Sequence, residues 1–475
     1  MNAEKAKTLK LPSFALSAAT ILCVAAVMMV GLLGFHLSDE VHILLLVCLI
    51  IMAFVCFFLG RTWDDILDAM VLGLTKAMPA LFFFFIIGMA VAAWIQCGAL
   101  PALIYYGLNI LSPSWFLLGG MLICSITSIA TGSSWTTAGT VGVVLMGISM
   151  TMGIPAPITA GMIVGGAYLG DKMSPLSDTT NLAPAIAGTD VFTHVGAMMY
   201  TAVPAYIITL VIYAIMGLGY SSSDIDTAQV SLIQTALLGS YQINGWVLLP
   251  LLLVLILSIL RFPAIPAMLA GIGLAFPLAA IFQDKSLTDF FVALNYGVES
   301  STGVEIVDEL LTRGGIQGMM WTFSLGVIAL ALGGLITYSG VMHVLLARLI
   351  KRIRNPKYYP ALTIATGFLS CGCLGEQYMS IVLTGELWKD AYEEVGLRPE
   401  MLSRCIEEGA TVSSPLFPWT TCGAYMYKSL GVYSFTYAPF AIYNILQVLF
   451  GALFPIFGHS LLKKSPAEYG TGKNS

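Results

Sequence analysis

Residues 141–181 read VGVVLMGISMTMGIPAPITAGMIVGGAYLGDKMSPLSDTTN. Apolar, small and hydroxyl residues run on without a charge, and then Asp171, Lys172 and Asp178 arrive together around a proline. The charge-free part reaches far upstream, since no Asp, Glu, Lys, Arg or His occurs in the ninety-four residues from Ala77 to Gly170. No soluble core absorbs such a run. Shorter charge-free runs cover 195–223, 262–283, 314–342, 358–375 and 429–458. Of the 475 residues, 58% are hydrophobic and 10% charged, whereas soluble domains carry about 25% charged residues. A spanning helix takes about 20 apolar residues, so the pattern predicts an all-α polytopic membrane protein of roughly 10–12 spans. A β-barrel is excluded, because the runs are continuous rather than alternating.

The first apolar run, from Phe14 to Phe35, follows Lys5, Lys7 and Lys10 and shows no cleavage site, which reads as a first span rather than a removed leader. Basic residues cluster at the N-terminus, around Arg61 and Lys76, at Arg261, from Arg348 to Lys357, and at Lys463 and Lys464. The positive-inside rule puts these segments in the cytoplasm. Segments 36–40 (His36, Asp39, Glu40), 220–243 (Asp224, Asp226) and the acidic 284–313 belong outside, so both termini are expected to be cytoplasmic.

On this reading residues 1–219 and 244–460 form two inverted-topology repeats, joined by an extracytoplasmic connector at 220–243 and followed by a cytoplasmic tail at 461–475. A shared spacing supports it. Gly132 precedes Pro175 by 43 residues and Gly372 precedes Pro415 by 43, so that Ser174-Pro175-Leu176 matches Ser414-Pro415-Leu416 at a displacement of 240. Inverted repeats with broken helices or re-entrant hairpins are the usual build of secondary transporters. The nine cysteines lack zinc-ligand spacing and read as small, reduced, buried residues.

Four polar clusters interrupt the apolar segments: TSIATGSSWTTAGT (127–140), DKMSPLSDTTN (171–181), GEQYMS (375–380) and TVSSPLFPWTT (411–421). Gly and Pro there free backbone carbonyls, which hydrocarbon tolerates only where they are buried in protein or line a watery cavity. Hydroxyls, carbonyls and a carboxylate are also the hard-oxygen set a dehydrated sodium ion needs. The expected walls of an ion site are Ser133, Ser134, Thr136 and Thr137 from one half, and Glu376, Gln377, Ser413, Ser414 and Thr420 from the other. The expected centre is Asp178, with Ser174, Thr179, Thr180 and Asn181 around it. Asp178, Thr179 and Asn181 are taken as sodium ligands, and Asp178 as the buried carboxylate for which sodium and protons compete.

Each choice has a plainer alternative. Ser and Thr in membrane helices often bond back to the preceding turn. Asp171 has Lys172 beside it as a partner, Asp178 stands where a helix cap would, and Glu407 and Glu408 with Arg404 read as a structural ion pair. His194 reads as an interfacial residue.

The stretches GAYLGDKMSPLSDTTNLAPAIAGTDVFTH (166–194), SIATGSSWTTAGTVG (128–142), GEQYMSIVLTGELWKDAY (375–392) and LSRCIEEGATVSSPLFPWTTCGAYM (402–426) resemble the NhaC-type sodium/proton antiporter family, which also contains malate/lactate antiporters. The resemblance implies sodium/proton exchange across the cytoplasmic membrane of a prokaryote, with re-entrant hairpins in a mobile transport domain. In this pairing of the halves, Thr411 stands opposite Asp171 and Pro418 opposite Asp178.

The alternatives are a sodium- and proton-coupled organic-anion antiporter, for which Lys172 and Arg404 are the candidate cations, and an intramembrane enzyme. Gly170-Asp171 matches the Gly-Asp pair of intramembrane aspartyl proteases, but no Tyr-Asp pair, HExxH or GxSxG accompanies it. No cofactor and no nucleic acid are expected. The partners are sodium, protons, the bilayer and, on the second reading, a small organic anion; a homodimer is left open.

Overall fold

The computed structural model describes residues 11–35, 37, 40–76, 78–110, 112–220, 227–260, 262–350 and 355–463. Lys5, Lys7, Lys10, His36, Asp39, Asp224, Asp226, Arg261, Lys351, Arg352, Arg354 and Lys464 lie outside the described residues. Within them the chain is helical, with no strand beyond two isolated bridges.

The first half builds α1 (Phe14–Met29), α2 (Val41–Phe58), α3 (Trp63–Lys76), α4 (Met78–Gln96), α5 (Ala99–Ile110) and α6 (Pro113–Thr131). It continues with the short α7 (Ser134–Thr137), α8 (Val143–Thr151), α9 (Ala156–Met173), α10 (Asp178–Ala187) and the long α11 (Val191–Leu218). The second half builds α12 (Thr227–Ser240), α13 (Leu249–Ile259), α14 (Ala264–Gln283), α15 (Leu287–Tyr296), α16 (Glu305–Leu311), α17 (Gly315–Gly318), α18 (Met320–Ser339) and α19 (Val341–Ile350). It ends with α20 (Tyr359–Leu374), α21 (Gln377–Glu394), α22 (Pro399–Ile406), α23 (Thr421–Leu430), α24 (Ser434–Tyr437) and α25 (Ile442–Ile456).

Six helices among the described residues are long and apolar enough to cross a membrane, and up to nine spans result if each of three bent pairs counts as one. The number is below the 10–12 expected from composition, for a local reason. The helices that carry the polar clusters are cut short or charged at one end: α9 ends in Asp171 and Lys172, and α20 is 16 residues long.

Helix starts and stops recur at one displacement. The N-caps Ser112, Ser133, Pro155, Ser177 and Asp190 each stand 243 residues before the N-caps Asn355, Glu376, Arg398, Thr420 and Tyr433. Gly132, Gly153 and Gly188, all with positive φ, stand 243 residues before Gly375, Gly396 and Gly431, which share that backbone. Left-handed backbone is easy only for glycine, so each of these residues stops its helix.

This register replaces the 240 of the Ser-Pro-Leu match. Gly372 lies inside α20, and the break falls at Gly375. The proline opposite Pro175 is then Pro418, three residues beyond the Pro415 of the Ser-Pro-Leu match. In the new register Ser414 and Thr421, not Thr411 and Pro418, stand opposite Asp171 and Asp178.

Packing follows the same exchange of partners. α4 lies on α15 and α17, while α18 lies on α2 and α3. A Cβ on Gly88 would come within 2.4 Å of the Gly315 carbonyl oxygen, and one on Gly73 within 2.3 Å of the Leu330 carbonyl oxygen, so both crossings bring backbones together through small residues.

Candidate ion site

α6 stops at left-handed Gly132, and Ser133 then caps α7 by accepting the Thr136 N–H at 3.1 Å. α20 stops at left-handed Gly375, and Glu376 caps α21 by accepting the Met379 N–H at 3.0 Å. Both breaks fall at buried glycines. The ends of α9 and α22 meet them there.

Lys172 is 0% exposed and Asp171 6%. The Lys172 Nζ lies 3.5 Å from Asp171 Oδ2 and 3.3 Å from Glu407 Oε2. It donates to Thr179 Oγ1 at 2.5 Å, and the Tyr168 ring is 5.9 Å away. Ser134 Oγ donates to Asp171 Oδ2 at 2.8 Å, Thr180 Oγ1 donates to the Asp171 carbonyl at 3.0 Å, and the Thr411 hydroxyl bonds the Glu407 carboxylate. Glu407 opens a π-helical turn, Glu407–Thr411, that continues α22; such turns concentrate at functional sites.

One ammonium thus faces two carboxylates in a water-poor interior. With all three ionised the cluster carries one net negative charge, and an uncompensated buried charge costs several kcal/mol. A second monovalent cation, a proton or a metal ion, completes it.

The other expected wall residues adjoin this cluster. Tyr168 OH lies 3.3 Å from Ser414 Oγ, which donates to the Thr411 carbonyl at 2.7 Å and to Gln377 Oε1 at 3.4 Å. Thr420 Oγ1 donates to the Ser414 carbonyl at 2.7 Å, and Ser413 Oγ to the Gly409 carbonyl at 2.5 Å. Thr137 Oγ1 donates to the Ser133 carbonyl at 3.0 Å, and Ser174 Oγ to the Ile129 carbonyl at 2.8 Å. Trp135 stacks on Tyr425 with ring centroids 4.5 Å apart, and Tyr425 OH donates to the Trp135 carbonyl at 2.6 Å. Clusters from both halves are therefore joined side chain to side chain. The buried hydroxyl of Thr136 and Oε1 of buried Glu376 have no hydrogen-bond partner among the described residues.

Asp178, Thr179 and Asn181, expected together around sodium, part ways. They open α10, and positions i and i+3 of a helix share a face that i+1 does not. Thr179 faces the buried ammonium, whereas Asp178 and Asn181 are exposed. The Asp178 carboxylate reaches only Tyr378 OH, at 3.5 Å, and the Asn181 amide is used by the Pro175 and Ser177 carbonyls at 2.9 and 2.7 Å. The burial on which the choice of Asp178 rested belongs to Asp171 instead.

Glu407 is the residue that sequence reasoning missed, having paired it with Arg404. The structure gives Arg404 to Glu408, at 3.7 Å, and Glu407 to Lys172. One signal was available: two adjacent carboxylates had a single base beside them, so one of the two needed a cation from elsewhere in the chain.

A polytopic helical protein whose broken helices meet around buried carboxylates has the build of a secondary ion carrier. Residues 166–459 match the Na+/H+ antiporter family, and the chain belongs to that family. It is 39% identical over 425 residues to the Na+/H+ antiporter NhaC of Alkalihalophilus pseudofirmus, covering 89% of this chain and 92% of that one. It is 37% identical to the malate-2H+/Na+-lactate antiporter of Bacillus subtilis, covering 80% and 82%, and 34% identical to the arginine/ornithine antiporter ArcD of Halobacterium salinarum, covering 86% and 85%.

Proposed function

We propose that the protein exchanges sodium ions for protons across the cytoplasmic membrane of a prokaryote, the two ions competing for the Asp171–Lys172–Glu407 cluster. The observation that carries this reading is one buried ammonium within 3.5 Å of two buried carboxylates, which ionised together lack one positive charge. A proton on one carboxylate, or a sodium ion held by Asp171, Glu407 and the hydroxyls of Ser134 and Thr411, supplies that charge. One site that holds either ion but not both turns alternating access into exchange. On this reading exposed Asp178, beside Tyr378, lies at the mouth of the site, where it attracts cations without binding them in dehydrated form.

The repeated register supports two inverted repeats that rock about this site, with both termini cytoplasmic and loop 284–313 outside. A cysteine introduced at Ser286 is then labelled by a membrane-impermeant reagent in intact cells, and protection there reverses the orientation.

The kinship with a malate/lactate antiporter favours a second reading, organic-anion exchange. It needs a basic group free for the anion, and the two candidate cations already face carboxylates, Lys172 two of them and Arg404 one. Purified protein in sealed vesicles with an internal pH dye separates the readings. Sodium alone is expected to drive alkalinisation or acidification according to its gradient. A response that requires malate or lactate contradicts simple sodium/proton exchange.

A further inference from the structure

A second group of buried polar side chains lies between α11, α22 and α25. Glu408 is fully buried, and its Oε1 accepts from Thr201 Oγ1 at 2.5 Å and from Gln447 Nε2 at 3.3 Å, with Arg404 Nε at 3.7 Å. Its Oε2 has no hydrogen-bond partner among the described residues, nor do Arg404 Nε and Nη1, Gln447 Oε1 or Asn444 Oδ1. An ion pair buried for structure alone needs close, saturated geometry, and this pair is long and largely unsatisfied. Space is nevertheless made for it: a Cβ on Gly451 would fall 2.1 Å from Glu408 Oε2.

The polar groups continue toward the start of α11. His194, fully buried, places Nδ1 2.8 Å from Ser403 Oγ and leaves Nε2 without a partner. Four residues earlier, exposed Asp190 caps α11. His194 thus touches Ser403, and the next residue, Arg404, faces Glu408, so buried polar side chains are spaced along α22 from the start of α11 to Glu408. The next carboxylate is Glu407, in the ion site. Around Glu408 the charged or titratable groups are Arg404, Cys405 and Glu407 on its own helix and Tyr443 on α25, with His194 of α11 on the far side of Arg404 and Lys172 of α9 beyond Glu407. α20, packed on the same turn, contributes no Asp, Glu, Lys, Arg or His.

We propose that this column is the route by which protons reach the ion site, and that Glu408 is the carboxylate that holds each proton on the way. The proposal rests on the sodium/proton exchange reading. One proton binds the Glu408 carboxylate and passes to Glu407 or Asp171 as one sodium ion leaves, so the charge of the site is the same before and after. Arg404 stays charged throughout and positions Glu408.

Two assays in sealed vesicles test it: counterflow of radioactive sodium against sodium, which needs the ion site but no proton, and sodium uptake driven by a pH gradient. The double variant Arg404→Gln/Glu408→Gln removes both charges at once, so neither is left buried and unpaired. It is expected to keep counterflow at the native rate and to lose pH-driven uptake by on the order of 100-fold, the worth of a proton-transfer group. A folded double variant that keeps both activities, or loses both, overturns the proposal. If the native protein shows counterflow without pH-driven uptake, the exchange reading fails and the route with it. Should the double variant not fold, Thr201→Val decides. Loss of one hydrogen bond to the carboxylate is expected to slow pH-driven uptake about tenfold with counterflow intact, and unchanged uptake counts against the route.

Discussion

The two broken crossings share a backbone and differ in charge. In the first, Ser134 donates to the carboxylate of Asp171; in the second, 243 residues on, Ser414 donates to the amide of Gln377. The caps are exchanged as well, a serine at 133 and a glutamate at 376. The two crossings stop and start at the same spacing, and the residues on them set where the charges lie. The first half supplies the ammonium and one carboxylate, and the second supplies Glu407 across the interface.

The largest effect is expected from Lys172→Met, which leaves Asp171 and Glu407 facing one another without their shared cation. Breaking a buried pair in this way costs about 3–5 kcal/mol, read as a lowered unfolding temperature in detergent, whereas a native-like melt contradicts the assignment of the centre.

The glycine breaks sharpen the comparison. Alanine in left-handed backbone costs about 1–2 kcal/mol, which is the expectation for Gly375→Ala, where the new Cβ meets Ala329 Cβ at 3.0 Å. Gly132→Ala is expected to cost more, since its Cβ meets the Leu176 backbone at 2.8 Å. Equal melts for the two variants mean the crossings are equally forgiving. Next come the hydroxyls of the two matched contacts. Ser134→Ala loses a bond to a charged group, about 1.5–3 kcal/mol, and Ser414→Ala loses bonds to uncharged partners, chiefly the Thr411 carbonyl, at about 0.5–1.5 kcal/mol. The reverse order points to charge in the second crossing rather than the first.

The smallest effect belongs to loop 284–313. Ser286 caps α15 in a reciprocal box with Asp289, and the Ser286 hydroxyl holds that carboxyl below the usual carboxylate range. The cap is therefore intact above that range and weakens as pH falls through it. Ser286→Ala is expected to speed amide exchange in the first turn of α15 without changing transport, and an altered transport rate ties this loop to the crossings.

Much of this was legible in the sequence. Charge-free runs announce membrane helices, since nothing else buries so many apolar residues, and the four clusters mark the breaks because glycine, proline and hydroxyls gather there. Asp171 and Lys172 stood out for the same reason. The face of α10 did not, because Asp178 and Thr179 are neighbours in sequence yet a helix turns them apart. The Glu407–Lys172 contact joins residues 235 apart, which no local pattern encodes. The recurring spacing of caps read as 240 rather than 243, since the Ser-Pro-Leu likeness is stronger to the eye than a register written in caps and left-handed glycines.

The measurement that bears most directly on the ion site compares Asp171→Asn with Asp178→Asn in vesicles, with radioactive sodium and an internal pH dye. Both amides keep the shape of the side chain. Asp171→Asn is expected to abolish sodium-driven proton movement across the whole pH range, while Asp178→Asn keeps exchange and needs more sodium to half-saturate it. Normal exchange by Asp171→Asn together with its loss in Asp178→Asn contradicts the assignment and moves the ion to the mouth.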